Sequence, residues 1–195
     1  MSLKACTIVG GKGLSERVEN DFYATDPKSV IELLETYKIE GKTFYEPCVG
    51  QGHIAKVLKE YYPKSKVLCS DIVDRGYHDV IISDFLKDDL GIKVDWVITN
   101  PPFKRAKEFA EKSLEISKKG VAMFLRIQFL EGQSRKAWLQ SSPLKYIYVF
   151  SKRQQPFRDG LPINPKTGKK WSSVMCFAWF IWEKGYIGEP VIRWI

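Results

Sequence analysis

Cysteine and histidine are scarce: the 195-residue chain has four cysteines and two histidines. Cys6, Cys48, Cys69 and Cys176 are scattered, with no CxxC pair among them. That pattern argues against a structural zinc site and against a disulfide framework. No apolar run reaches the roughly 18 to 20 residues that a membrane-crossing helix needs. Met1 to Gly13 lacks the apolar stretch and cleavage pattern of a signal peptide, so a cytoplasmic protein is expected. Acid is in deficit as well. Thirty-one Lys and Arg stand against 23 Asp and Glu, a net charge of +8 that favours a polyanionic partner. From Lys145 to Trp171 there are seven bases and one acid, Asp159.

With 44% hydrophobic and 28% charged residues, the chain is neither disordered nor fibrous, and its length suits one α/β domain. Residues 1–21 show little periodicity, and Gly10, Gly11 and Gly13 lack the spacing of a phosphate loop; a mobile arm is expected there. Asp26-Pro27 opens a helix, with Asp as the cap and Pro at the first position. Val30, Leu33, Leu34 and Tyr37 follow at helical spacing. Strands are expected at Thr43–Glu46, Lys66–Ser70, Val80–Ile82, Val94–Ile98, Val121–Leu125 and Tyr146–Phe150. Helices are expected at about Gly52–Tyr62, Ala106–Ser117 and Gly132–Leu139. This alternation implies βαβ units and a doubly wound, Rossmann-like, mostly parallel sheet. The apolar stretches at Val174–Trp182 and Val191–Ile195 come with no helix between them, which suggests an antiparallel hairpin at one sheet edge. Ser151 to Trp171 is the one long loop after the arm.

In open α/β sheets, ligands bind beyond the carboxyl ends of the strands. Four of those ends carry pointed chemistry. After the first comes Glu46-Pro47-Cys48-Val49-Gly50-Gln51-Gly52, a glycine turn that allows close approach of backbone to ligand. It is not GxGxxG, because Ala55 stands where a third glycine would fall. Glu46 would repel a pyrophosphate and suit a cationic amine; a plain tight loop is the other reading. Asp71 ends the second strand, where a carboxylate can accept ribose hydroxyls or merely cap a turn. Asp84-Phe85 after the third could meet an adenine, or cap a helix ahead of a core aromatic. After the fourth comes Asn100-Pro101-Pro102-Phe103. Its prolines stiffen the turn and leave carbonyls free of competing amide donors. The Asn100 side-chain carbonyl and a backbone carbonyl can converge on one NH2 group beside the flat face of Phe103.

In this order, the four motifs resemble those of S-adenosylmethionine-dependent amino-methyltransferases of the adenine-N6 type. Glu16 to Pro27 is similar to the motif those enzymes place before the glycine turn. The compact chain, with FLEG at 129–132 and AWFIW at 178–182, looks like the small phage and prophage adenine DNA methyltransferases. The resemblance implies a class I methyltransferase fold in one domain over residues 22–195, without a separate target-recognition domain. It implies Tyr23, Thr25 and Pro27 beside the cofactor's methionine end, and Glu46 with Pro47 at its amine. Gly50 and Gly52 would lie under methionine and ribose. Asp71 would hold the ribose hydroxyls, with Ile72, Asp84 and Phe85 around the adenine. Asn100, Pro101, Pro102 and Phe103 would form the target pocket.

The expected reaction is methyl transfer to adenine N6 in DNA, with no metal and no covalent intermediate. Related NPP[YF] enzymes modify RNA adenine or protein glutamine, and both stay open here, as does a non-catalytic nucleic-acid-binding protein. Lys104 and Arg105, beside the turn, and Lys152, Arg153, Arg158, Lys166, Lys169 and Lys170 of the basic loop are candidates for phosphate contact. A dimer could add recognition surface.

Overall fold

The computed structural model describes residues 22–171 and 175–195; the expected N-terminal arm and Cys6 lie outside them. A short strand β1 (Tyr23–Ala24) leads into helix α1 (Pro27–Thr36). Asp26 starts the helix by accepting the Lys28 amide on Oδ1 at 3.0 Å, with Pro27 at the first position. Then come β2 (Thr43–Glu46), α2 (His53–Tyr61), β3 (Lys66–Asp71), β4 (Ile81–Ile82) and β5 (Val94–Thr99). The chain goes on through α3 (Ala106–Ile116), β6 (Ser117–Arg126), α4 (Gln133–Ser141), β7 (Leu144–Val149), β8 (Phe157–Arg158), β9 (Phe177–Glu183) and β10 (Val191–Trp194).

Eight strands form the main sheet, in the order β10-β7-β9-β6-β5-β2-β3-β4. All neighbours are parallel except β9, which runs antiparallel to both β6 and β7. The doubly wound sheet is the one expected, but the C-terminal edge hairpin is not what forms. Strands β9 and β10 never pair with each other: β9 lies inside the sheet, and β10 closes the edge parallel to β7. The reason is apolarity. Phe177, Trp179 and Ile181 bury one face of β9 and Ala178, Phe180 and Trp182 the other. A strand greasy on both faces needs neighbours on both sides and layers above and below.

The same alternation divides β6. Ala122 and Phe124 join Val30, Leu33, Leu34, Ile54 and Leu58 of α1 and α2, while Val121, Met123 and Leu125 meet Phe109 and Ala110 of α3. Trp179 Nε1 donates to the Ser29 carbonyl at 2.9 Å, tying the sheet centre to α1. From β2 the chain builds β3 and β4 to one side, then returns to β5 on the other. Strand order thus reverses between β2 and β5, which sets Glu46 and Asn100 on either side of the crevice. Among the described residues, no helix is long and apolar enough to cross a membrane.

Candidate active site

The glycine turn after β2 is held by its own backbone and by Asp71. Val49 N donates to the Ser70 carbonyl at 3.0 Å and Gly52 N to the Val49 carbonyl at 2.7 Å. Asp71 Oδ2 accepts from Gly50 N at 2.8 Å, and Oδ1 from Val73 N at 3.1 Å. Each carboxylate oxygen keeps a lone pair, so both can also accept a hydroxyl. Gly50 has φ +52°, and a Cβ there would overlap the Phe22 ring; at Gly52, φ +81°, it would overlap Tyr77. The two aromatic rings therefore require glycine at both places, whatever else binds. The Arg75 guanidinium lies 4.6 Å from the Phe22 ring centroid.

Glu46, at the end of β2, is 2% exposed, and its Oε2 has no hydrogen-bond partner among the described residues. Burial drives its carboxyl well above the ordinary carboxylate range; an Ala55 backbone hydrogen bond offsets part of this, and the nearby Asp71 charge adds to it. The Thr25 hydroxyl is likewise buried and unpartnered among the described residues. Pro47 is buried, whereas Ile72, next to Asp71, is 56% exposed. Asp84 accepts the Leu86 amide at 3.0 Å and pairs with Lys87 at 3.0 Å, which holds its carboxyl below its usual value. Phe85 is buried, with Tyr45 and Phe109 around its ring at 5.9 and 4.9 Å. Cys48 is not set up as a nucleophile, because burial pushes its thiol well up.

Beyond β5, Asn100 is half-buried and donates from Nδ2 to the Tyr23 carbonyl at 2.9 Å. Pro101 is buried and Pro102 exposed. The half-buried Phe103 ring packs against both core layers, with Phe177 at 5.9 Å and the Arg126 guanidinium 4.6 Å from its centroid. A recess of about 140 Å³ opens beside it, lined by Phe103, Ala106, Leu125, Arg126, Gln128, Phe129 and Arg135. Arg126 ends β6, and it comes over Phe103 because β6 pairs in parallel with β5, the strand that leads into the turn. A larger depression of about 540 Å³, between the end of α1 and Gly41, lies at the opposite end of β2.

The structure thus joins Tyr23 to Asn100 and the glycine turn to Asp71 at the carboxyl ends of β2, β3 and β5, where buried Glu46 also lies, with Thr25 buried two residues after Tyr23 and Ile72 exposed beside Asp71. Lys104 and Arg105 are exposed just beyond Phe103, Arg105 beside Glu108 at 3.3 Å. Lys152, Arg153, Lys166, Lys169 and Lys170 are all exposed. Arg158 differs: it sits in β8, paired through its backbone with Tyr23, and its guanidinium is 6.0 Å from the Trp171 ring centroid. No sequence signal announced that ribbon, because two residues are too few to show a period. Among the described residues, no group of three or more His, Cys, Asp or Glu could hold a metal ion.

No protein-family model matches the sequence. Over 101 residues, 46% of this chain, it is 30% identical to a release factor glutamine methyltransferase of Chlamydia trachomatis. That match spans about a third (34%) of the relative's length. An RNA methyltransferase candidate from Pyrococcus horikoshii superposes with a TM-score of 0.57 at 18% identity, covering 83% of each chain. The modification subunit of a candidate type I restriction enzyme from Vibrio vulnificus superposes with a TM-score of 0.61 at 12% identity, over 92% of this chain and 48% of that one. Strand order and superpositions agree: the chain has the Rossmann-like class I methyltransferase fold.

Proposed function

We propose that the chain transfers a methyl group from S-adenosylmethionine to the N6 amine of adenine in DNA, at the Asn100-Pro101-Pro102-Phe103 turn. The observation that carries this is Asn100. Its amide nitrogen is engaged by the Tyr23 carbonyl, so its oxygen remains as an acceptor at a strand end of the crevice.

The residues present fit the cofactor. Glu46, buried with an orphaned oxygen, suits the ammonium of the methionine end, and the unpartnered Thr25 hydroxyl can pair with its polar atoms. Tyr23 and Pro27 would flank that end, with Pro47, Gly50 and Gly52 in the turn beneath. Asp71 would hold the ribose hydroxyls, exposed Ile72 would cover the adenine, and Asp84 with Phe85 would lie on its far side. When bound, the cofactor supplies an electrophilic methyl on its sulfonium.

An exocyclic amine conjugated to its ring is a poor nucleophile. Accepting its hydrogens at Asn100 Oδ1 and the Pro101 carbonyl shifts electron density onto nitrogen, and the rigid turn positions it. Phe103 offers a stacking face that offsets part of the cost of unstacking the base, a few kcal/mol for a duplex. Arg126 must yield its place if the base takes that side of the ring.

The +8 charge and the exposed bases Lys104, Arg105, Lys152, Arg153, Lys166, Lys169 and Lys170 favour a nucleic acid. Modest sequence selectivity follows, because phosphate contacts position without specifying. A second reading, methylation of a protein glutamine, is favoured by the Chlamydia relative. Labelled S-adenosylmethionine offered with duplex DNA, single-stranded DNA, RNA and glutamine peptides separates the readings. Label in DNA adenine supports the proposal; label in peptide alone replaces the substrate.

A further inference from the structure

The basic loop reaches the turn chemistry through its backbone. Phe157 and Arg158 pair antiparallel with Ala24 and Tyr23, and the Asp159 amide donates to the Phe22 carbonyl at 2.9 Å. Successive carbonyls of a strand point to opposite edges. With that of Phe22 turned towards β8, that of Tyr23 faces away, and there it accepts from Asn100 Nδ2 at 2.9 Å. A carbonyl can only accept, so this contact decides which arm of the amide is nitrogen, and the oxygen must stand on the other.

The loop is seated firmly enough to act in this way. Gly160, at φ +73°, sits so close to Gln51 of the glycine turn that a Cβ would overlap its side-chain amide. Gly160 N and Leu161 N fold back onto the Phe157 and Arg158 carbonyls at 3.2 and 3.0 Å. Trp171 Nε1 closes the excursion on the Leu161 carbonyl at 2.6 Å.

We propose that residues 157–160 are a positioning element for Asn100: by holding the backbone of Phe22 and Tyr23, they fix the Asn100 amide with its oxygen presented as the acceptor. A nucleic acid gripped by the loop and the group that receives the target amine are then registered by one piece of backbone. The functional half of this rests on the methyl-transfer reading; the orientation of the amide does not.

Two glycines of the same loop give the test. Gly160→Ala meets the Gln51 side-chain amide, so either that amide swings aside or the loop shifts, and faster exchange of the Asp159 amide marks the second outcome. Gly168→Ala carries similar left-handed strain at φ +66° but meets open space, and so serves as the control. The first readout is NMR hydrogen exchange of the Asn100 side-chain amide. The second is the single-turnover rate of methyl transfer at saturating substrate.

Where Gly160→Ala shifts the loop, it should speed exchange and slow transfer at saturating substrate, each roughly tenfold or more, since misplacement of a reacting group by 1 Å can cost about 100-fold in rate. Gly168→Ala should leave the amide signal as it is. An unchanged Asn100 amide in folded Gly160→Ala whose Asp159 amide exchanges faster overturns the proposal.

If Gly160→Ala does not fold, or leaves the Asp159 amide as protected as before, exchange in the unaltered protein decides. The Asp159 amide and the Asn100 side chain should open together, and an Asn100 amide that stays protected while Asp159 exchanges overturns the proposal. A protein that methylates nothing refutes the activity reading, while the amide signals still decide the positioning.

Discussion

Glu46 gives the sharpest test of the crevice. Its carboxyl is buried and lifted well above 4.5, so the free protein holds it protonated where an unfolded chain would ionise it. For a raised acid, the stabilising contribution is fully present below the unfolded pKa and is lost as pH rises towards the folded one. Between those limits the loss is about 1.4 kcal/mol per pH unit. Glu46→Gln removes the titration and keeps an oxygen for the Ala55 amide. The new side-chain NH2 adds a fixed cost of about 1 to 3 kcal/mol if it finds no partner. That offset does not vary with pH, so the slope carries the test.

Urea unfolding of both proteins from pH 5 to 7 should show the wild type losing stability relative to Glu46→Gln as pH rises. A constant difference would refute a protonated, buried Glu46. Adding S-adenosylmethionine should reverse the preference, because an ammonium beside Glu46 favours its ionised form. Binding should therefore release a proton, visible as a dependence of the calorimetric heat on the buffer's ionisation enthalpy.

Other consequences follow from the same geometry. Phe103→Ala should lower methyl transfer about 5- to 150-fold, the equivalent of 1 to 3 kcal/mol of base stacking, while the Kd for cofactor stays constant; full turnover would remove Phe103 from the pocket. Replacing Lys166, Lys169 and Lys170 by Ala should flatten the slope of log K for duplex DNA against log salt by about 0.9 for each phosphate that these lysines neutralise; an unaltered slope places the nucleic acid elsewhere. Gly50→Ala should destabilise the protein through overlap with Phe22 and a left-handed φ, seen as a lower Tm, and a matching Phe22→Ala should recover part of the loss. Trp179→Phe removes the indole donor from the Ser29 carbonyl, which keeps its helical partner, and should cost about 0.5 to 1.5 kcal/mol in urea unfolding for the lost hydrogen bond.

The strand ends were legible because their chemistry is local. Asp26-Pro27 announces a helix start, and Glu46, Asp71 and Asn100 each close an apolar run. Strand order was less legible. The run at 177–182 reads as buried, but nothing in it says that it inserts between β6 and β7 while β10 takes the edge. Hydrophobic period gives burial, whereas neighbours are chosen by the whole sheet. Contacts between distant segments escaped for the same reason. Pairing of Tyr23 with Arg158, Phe22 over Gly50 and Arg126 over Phe103 all join stretches whose separation in sequence hides them. Gly50 illustrates the point: its place in a tight turn could be read from sequence, but the aromatic ring that demands it could not.

The central claim is tested most directly by incubating the protein with labelled S-adenosylmethionine and unmethylated duplex DNA, then digesting to nucleosides for mass spectrometry, with Asn100→Ala in parallel. The account predicts N6-methyladenine, absent from the variant. Failure to bind the cofactor, or N6-methyladenine formed equally well by Asn100→Ala, would contradict it.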